Sequence, residues 1–382
     1  MKRFCRFPMA IAAFLTFSLF QTSCADNADN IAEGISIDSD RIVEFVPYIK
    51  GQLVSRAGSS SDNDFTEFYV NAWSGLFSKG RDVRIYLSNG AWVSDVSINW
   101  PAGTTAISFW ALNRPFANGG EISGSQMTRN VQKFTYTLNP EEPKDLMYAS
   151  RLKTNYEQAQ GKVAMNFMYS LAYPSLTCRI GTSNEYVVAI SEVIFHNLKT
   201  SGTFEFSKEY NSDGTWTVLD TEYGTFRKVL NTPVILKHEA NDTVHLGGSW
   251  ILMPQKVTKW KTKSSSPVTI AEADEKHQCY VELKCKIIKE GGIYTWGHPK
   301  GQEDEYESVY VPFGTSFNKQ GYNNEIRLTF TGGFNADGTL FTGREGIAFA
   351  PWVTEDIIVE PWEELPEEDL NFSAKQSFAI ED

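Results

Sequence analysis

The sequence predicts an all-β protein built from antiparallel sandwiches, and three observations carry that reading. Apolar and polar residues alternate with period two along one run after another. Turn residues separate the runs. Only one stretch carries even a trace of the 3.6-residue apolar repeat of a packed helix. Composition agrees: aromatics make up 13% of the 382 residues and there are 28 glycines, which suits packed sheets with many tight turns.

Residues 1–23 read as a signal peptide. Lys2, Arg3 and Arg6 make a basic start, and Phe7–Phe20 is almost wholly apolar. That stretch is shorter than the roughly 20 residues a membrane-spanning helix needs, but it fits the core of an export signal. Phe20-Gln21-Thr22-Ser23-Cys24 then sets small residues before a cysteine, as in a bacterial lipobox whose thiol is acylated after cleavage. Gln21 departs from the pattern, since an aliphatic usually stands there. Two readings are open at Cys24: lipidation, or an ordinary signal-peptidase cut with the cysteine incidental. Residues 24–33 follow as a polar, acidic tether.

The remaining length, about 350 residues, suits two domains, which we place at 34–153 and 154–382. Ile42–Leu53 reads as the first strand, followed by Ala57-Gly58-Ser59-Ser60-Ser61, an accessible loop. Phe68, Val70 and Ala72 alternate with more polar neighbours, as do Ile107, Phe109 and Ala111, and Val131–Leu138 is β-rich. Lys144–Gln160 is the best helix or linker candidate and holds the domain boundary. Val163, Met165, Phe167, Tyr169 and Leu171 give the longest alternation. Further strands are expected over Tyr186–Phe195, Gly202–Phe206, Trp216–Leu219, Val244–Leu252, Cys279–Ile288, Tyr306–Phe313, Glu325–Phe330 and Gly346–Val353. Asn211-Ser212-Asp213-Gly214 and Asn335-Ala336-Asp337-Gly338 end in Asp-Gly, which tolerates the positive φ of a hairpin turn. Neither has the ligand spacing of a calcium loop. Glu363–Asp369 is an acidic connector, and Leu370–Ile380 is a last candidate strand.

Charge and motifs narrow the chemistry. The net charge of −12 becomes more negative once the basic start is removed, and such a surface repels nucleic acid and anionic membranes. Beyond Cys5 and Cys24 only Cys178, Cys279 and Cys285 remain, too few for a disulfide framework. Cys279 and Cys285 share parity with Val281, Leu283 and Ile287, so buried free thiols are expected. The histidines are scattered, and no zinc, P-loop, dinucleotide or nucleophile-elbow spacing occurs. No metal, no cofactor and no catalytic residue is therefore assigned, and the chain reads as a non-enzyme. Ten tryptophans have two readings, core packing or a sugar-stacking surface.

Several stretches resemble the fimbrillin-like (Mfa-like) lipoproteins of Bacteroidales, the subunits and accessory proteins of type V pili. Leu53-Val54-Ser55-Arg56-Ala57 resembles the Thr-Arg-Ala after that family's first strand, and Phe68-Tyr69-Val70-Asn71-Ala72-Trp73 resembles the strand that follows. Trp100-Pro101 with Ile107-Ser108-Phe109-Trp110-Ala111-Leu112-Asn113-Arg114-Pro115 resembles its "WP … FyAyyP" signature. Asp145-Leu146-Met147-Tyr148-Ala149 resembles its "DLmyA" segment, Val163–Leu171 its "V-x-L-x-F-x-H-x-L" strand, and Met253-Pro254-Gln255 its "PQ" segment. Tyr169 stands where that family often has His, and the second half is looser than the first.

The resemblance implies two transthyretin-like β-sandwich domains in tandem after a lipoprotein signal peptide. It implies a structural or adhesive pilus subunit or accessory protein, exported to the outer face of the outer membrane with Cys24 as lipid anchor. It also implies assembly by strand exchange, in which a protease cuts after Arg56, the first strand leaves, and a neighbouring subunit's strand fills the groove. An uncut loop is the other reading at Arg56. Phe372–Ile380 is a donor strand, a strand of its own domain or a frayed tail. Implied partners are other pilus subunits, the outer membrane, and a ligand on a host or bacterial surface. A surface glycan-binding lipoprotein serving polysaccharide uptake is the alternative.

Overall fold

The computed structural model describes residues 37–49, 52–53, 65–116, 120–180, 186–209, 212–237, 243–263, 265–289, 293–296, 306–314, 316–317, 320–321, 323–330, 333–341 and 356–360. Their backbone is mostly strand. The chain enters through β1 (Ile37–Ile42), β2 (Glu44–Ile49) and the two-residue β3 (Gln52–Leu53), so the span read as one strand over 42–53 divides among the last residue of β1, β2 and β3. A meander follows: β4 (Glu67–Ser74), β5 (Phe77–Ser88) and β6 (Ala91–Ser94). Gly75 and Gly90 turn its corners at φ +59° and +79°, a region that only glycine enters freely. β7 (Asn99–Pro101) returns to pair with β1, and β8 (Ile107–Leu112) lies against β4. β9 (Ile122–Met127) and β10 (Gln132–Thr137) pair antiparallel.

The helix or linker expected over Lys144–Gln160 is corrected by the structure. β11 (Met147–Thr154) fills most of it, and α1 (Tyr156–Ala159) is a single turn held by a capping box between Asn155 and Gln158. The physical reason is burial on both faces. β11 runs between β8 and its other neighbour, β12 (Lys162–Tyr169), and Met147, Tyr148 and Ala149 are buried in succession, which erases the two-residue alternation.

These strands form an eight-stranded sheet of order β3-β2-β12-β11-β8-β4-β5-β6. All its pairs are antiparallel except β2 with β12, which is parallel. The sheet curls until β6 comes back beside β2. Phe45, Phe65, Phe68, Phe109 and Phe167 pack ring against ring on its concave side.

The rest of the chain adds β13 (Ser175–Ile180), β14 (Tyr186–Lys199), β15 (Ser201–Glu205), β16 (Thr215–Val218), β17 (Tyr223–Leu236), β18 (Val244–Ser249) and β19 (Gln255–Lys256). The short α2 (Ile270–Glu275) precedes β20 (Tyr280–Lys289), β21 (Ile293–Trp296), β22 (Glu307–Pro312), β23 (Ser316–Phe317), β24 (Asn323–Phe330) and β25 (Asp356–Glu360). β16-β15-β10-β9 form one sheet and β18-β13-β24-β25 another, with β13 and β24 parallel. A third runs β17-β14-β20-β21, with β22 also on β20. The alternation predicted along Cys279–Ile287 is a buried face, as expected, and Cys178, Cys279 and Cys285 are buried free thiols. The strand expected over Gly346–Val353 lies outside the described residues.

The two Asp-Gly segments part ways. At Asn335–Gly338 the turn is as predicted: Gly338 has φ +78° and its N–H donates to the Asn335 carbonyl at 2.9 Å. At Asp213-Gly214 the expectation of positive φ is corrected, because Gly214 does not enter the left-handed region. Glycine is required there by close approach instead, since a Cβ would stand 2.2 Å from Cζ of Phe204. The fold is all-β and mainly antiparallel, as the alternation predicts.

Candidate functional site: the strand Glu44–Ile49 and its groove

β2 alternates as a half-buried strand should. Phe45, Pro47 and Ile49 face inward, while Glu44 is exposed and Val46 and Tyr48 are half-buried on the other face. Burial pushes the Tyr48 phenol above its ordinary value. Phe45 is the anchor. Its ring stands edge-on to Phe68 at 6.1 Å and to Phe109 at 5.4 Å. Full burial of side chains of this size contributes roughly 1.5–3 kcal/mol each.

Hydrogen bonding to the rest of the sheet is one-sided. β2 pairs with β12 in continuous parallel register, from Glu44 opposite Lys162 to Ile49 opposite Phe167. On its other side only Tyr48 and Ile49 have ladder partners, Leu53 and Gln52 of β3. Pro47 fits such a near-edge position because it has no N–H to offer a further strand. Glu44 and Lys162 carry opposite charges at 3.6 Å, both well exposed, so this pair contributes little. The Val43 and Glu44 N–H groups donate to the carbonyls of Ile98 and Gly161, fixing where the strand enters the sheet. β12 supplies the groove's floor with Val163, Met165 and Phe167, all buried.

The residues singled out in the sequence divide sharply. Cys24, Arg56, the tether and the segment Phe372–Ile380 lie outside the described residues, as do His238, His298, Trp352 and Trp362. The other eight tryptophans are described. Trp100, Trp110, Trp250 and Trp260 are buried, and Trp73, Trp92, Trp216 and Trp296 are half-buried against the core. Among the described residues there is thus no exposed tryptophan platform. His277 stacks on Tyr223 with ring centroids 4.0 Å apart, and His196 joins Glu282 in a polar cluster. The groove-lining set (Phe68, Phe109, Phe167) was legible as core. That these residues receive a parallel strand was not, because alternation specifies a face and not a neighbour.

No family model matches the sequence, and no curated protein matches it. Solved structures do match. One is a fimbrial protein from Bacteroides vulgatus, with a TM-score of 0.53 and 11% identity over 85% of this chain and 100% of that one. The chain shares that protein's fold. A protein from Bacteroides ovatus ascribed to cell adhesion has a TM-score of 0.41 and 12% identity, covering 84% of this chain and 98% of that one. The fimbrial anchor protein Mfa2 from Porphyromonas gingivalis has a TM-score of 0.33 and 9% identity, covering 82% and 99%.

Proposed function

We propose that the chain is a structural or adhesive subunit, or an accessory protein, of a bacterial surface pilus, built by β-strand exchange. The observation that carries this reading is the seating of β2. It is a single strand held by one continuous ladder and a row of inward side chains, and Arg56 follows three residues after the end of β3. Cleavage after Arg56 would release Phe45, Pro47 and Ile49 from their groove. β12 would then offer an unpaired edge beside apolar pockets, the two things an incoming strand needs. Because donor and acceptor surfaces differ, repetition gives a filament rather than a closed dimer. The fold shared with a fimbrial protein of Bacteroides vulgatus supports the same reading.

In this proposal the protein is exported, acylated at Cys24 and displayed on the outer face of the outer membrane. The alternating segments form two sandwich domains, and Phe372–Ile380 is the donor strand. The glycan-binding alternative at an open tryptophan surface has less support, given how the described tryptophans pack. An Arg-specific protease tests the reading on purified mature protein. We expect one early cut after Arg56, identified by N-terminal sequencing, followed by an SDS-resistant oligomer ladder that Arg56→Ala and deletion of 370–382 each abolish. A chain that stays intact at Arg56 and never forms a ladder would remove strand exchange.

A further inference from the structure

A second feature lies away from β2. The inner faces of the eight-stranded sheet and of the β16-β15-β10-β9 sheet meet where Tyr148 packs on Phe204 and Phe206, at 4.7 and 5.9 Å. Beside Phe206 is a cleft of about 620 Å³, within the range of roughly 300–1,000 Å³ common for small-ligand sites. Trp73 and Trp110 line it with Leu152, and Arg129, Lys153 and Lys208 stand at its exposed margin.

Charge is the first argument. Among the described residues no carboxylate lines the cleft, although the chain as a whole is strongly acidic. Lys208 does reach Glu205, at 3.6 Å and in solvent, a contact too exposed to neutralise the margin. At physiological ionic strength charges farther than about 8 Å are screened, so the local cations decide what enters. Lys153 is fixed in place. It sits in an irregularity of the β11–β8 pairing with φ +51°, and its N–H donates to Oγ of Ser108 at 3.0 Å.

Polar lining is the second argument. Ser108, Asn130 and Ser207 line the cleft with hydroxyl and amide groups. Shape is the third. Trp73 and Trp110 come from β4 and β8, each paired on both sides within the sheet. The walls they supply offer side chains and no open ladder. An extended peptide would forfeit its main hydrogen bonds, whereas a compact ring would not.

From these three observations we propose that the cleft binds an anionic sugar, a pyranose carrying a carboxylate or sulfate. The indoles would take the apolar C–H face of the ring. Arg129, Lys153 and Lys208 would take the charge, and Asn130 with Ser207 would take hydroxyls. This is a pocket for one or two residues of an acidic glycan, not an open stacking surface, and it is independent of strand exchange.

The test uses uncut mature protein and titration calorimetry with glucuronate, galacturonate, N-acetylneuraminate and a sulfated N-acetylglucosamine, each beside its neutral counterpart. We expect at least one acidic sugar to bind with quenching of tryptophan fluorescence. Its neutral counterpart should be weaker by roughly tenfold, the effect of losing one charge-assisted contact. Arg129→Glu with Lys208→Glu, both on exposed loops, should abolish binding while the unfolding midpoint stays unchanged. Four outcomes would overturn the proposal: no acidic sugar bound at millimolar concentration, binding untouched by the double charge reversal, equal binding of acetate or phosphate, or preference for an acidic peptide that Arg129→Glu/Lys208→Glu removes.

Discussion

The ring of Phe45 stands perpendicular to that of Phe109, at an interplanar angle of 89° and a centroid separation of 5.4 Å. One ring belongs to the near-edge strand β2 and the other to the middle of the eight-stranded sheet, so this contact ties the first strand to the core. Phe45→Ala removes it together with the edge contact to Phe68. A buried phenylalanine truncated to alanine costs about 3–5 kcal/mol, the lower end applying where the site can collapse. We expect a loss near 3 kcal/mol in urea unfolding of the uncut chain. If β2 is also the strand that leaves, the variant will be cut after Arg56 faster than the wild type.

Tyr148 joins three segments through one phenol. Its hydroxyl meets Oδ1 of Asp213 at 3.4 Å, the Gly214 N–H at 3.2 Å and Nε2 of Gln320 at 3.1 Å, while Gln320 also donates to the Gly214 carbonyl at 2.8 Å. Tyr148→Phe keeps the ring and leaves the buried Gly214 N–H without a partner, which costs about 1–3 kcal/mol. Gly214→Ala adds a methyl where Phe204 already sits and should cost a similar about 1–3 kcal/mol through overpacking. The two share a neighbourhood, so the double variant should lose less than the sum of the singles in equilibrium unfolding.

On the β14-β20-β22 face, Glu282 accepts from His196 at 2.9 Å, from Ser308 at 2.6 Å and from Lys284 at 3.0 Å. Burial alone would raise its pKa. The three donors outweigh burial and hold the carboxyl at about 2, against an ordinary value of 4.5. A depressed carboxyl stabilises the fold fully above its unfolded value and loses that contribution as pH falls through the folded one. Glu282 should therefore contribute on the order of 1–2 kcal/mol at pH 6, after allowance for solvent screening, and nothing below about pH 2. Urea midpoints from pH 6 to pH 2 should fall less steeply for Glu282→Gln than for the wild type. Equal slopes would mean that the carboxylate is not depressed by these partners.

How much of this was legible in the sequence depends on how each strand is buried. Along Val163–Leu171 one face is apolar and the other is wet, so the pattern of residues reports the strand directly. Along Met147–Thr154 both faces are covered at its start, and the pattern there imitates a helix. The parallel partnerships of β2 with β12 and β13 with β24 join segments more than a hundred residues apart, a relation that no local period contains. Glu282 meets His196 for a similar reason. The register sets Ile194 opposite Glu282 and Tyr280 opposite His196, so the pair is diagonal across two strands. Arg129, Lys153 and Lys208 form no motif at all, since two loops and a strand irregularity bring them together.

The thiols give the last prediction, because burial and reactivity make opposite claims on them. A thiolate is the reactive species, and water must reach the sulfur for it to form. Cys178 and Cys285 are fully buried in β13 and β20, and burial pushes the Cys178 thiol up to about 12 and Cys285 up as well. Cys279 is equally buried just before β20. In mature protein with Cys24→Ser, a thiol-disulfide reagent at pH 8 should therefore find no reactive sulfur in the native state. It should find Cys178, Cys279 and Cys285 together once the protein is unfolded in guanidinium. The native reaction should proceed at the rate of global opening, so that Phe45→Ala accelerates all three equally if unfolding is cooperative. Fast labelling of Cys279 alone would instead place a separately opening unit at the α2–β20 corner. Quantitative recovery of fewer than three thiols after unfolding would mean that two of these cysteines join in a disulfide.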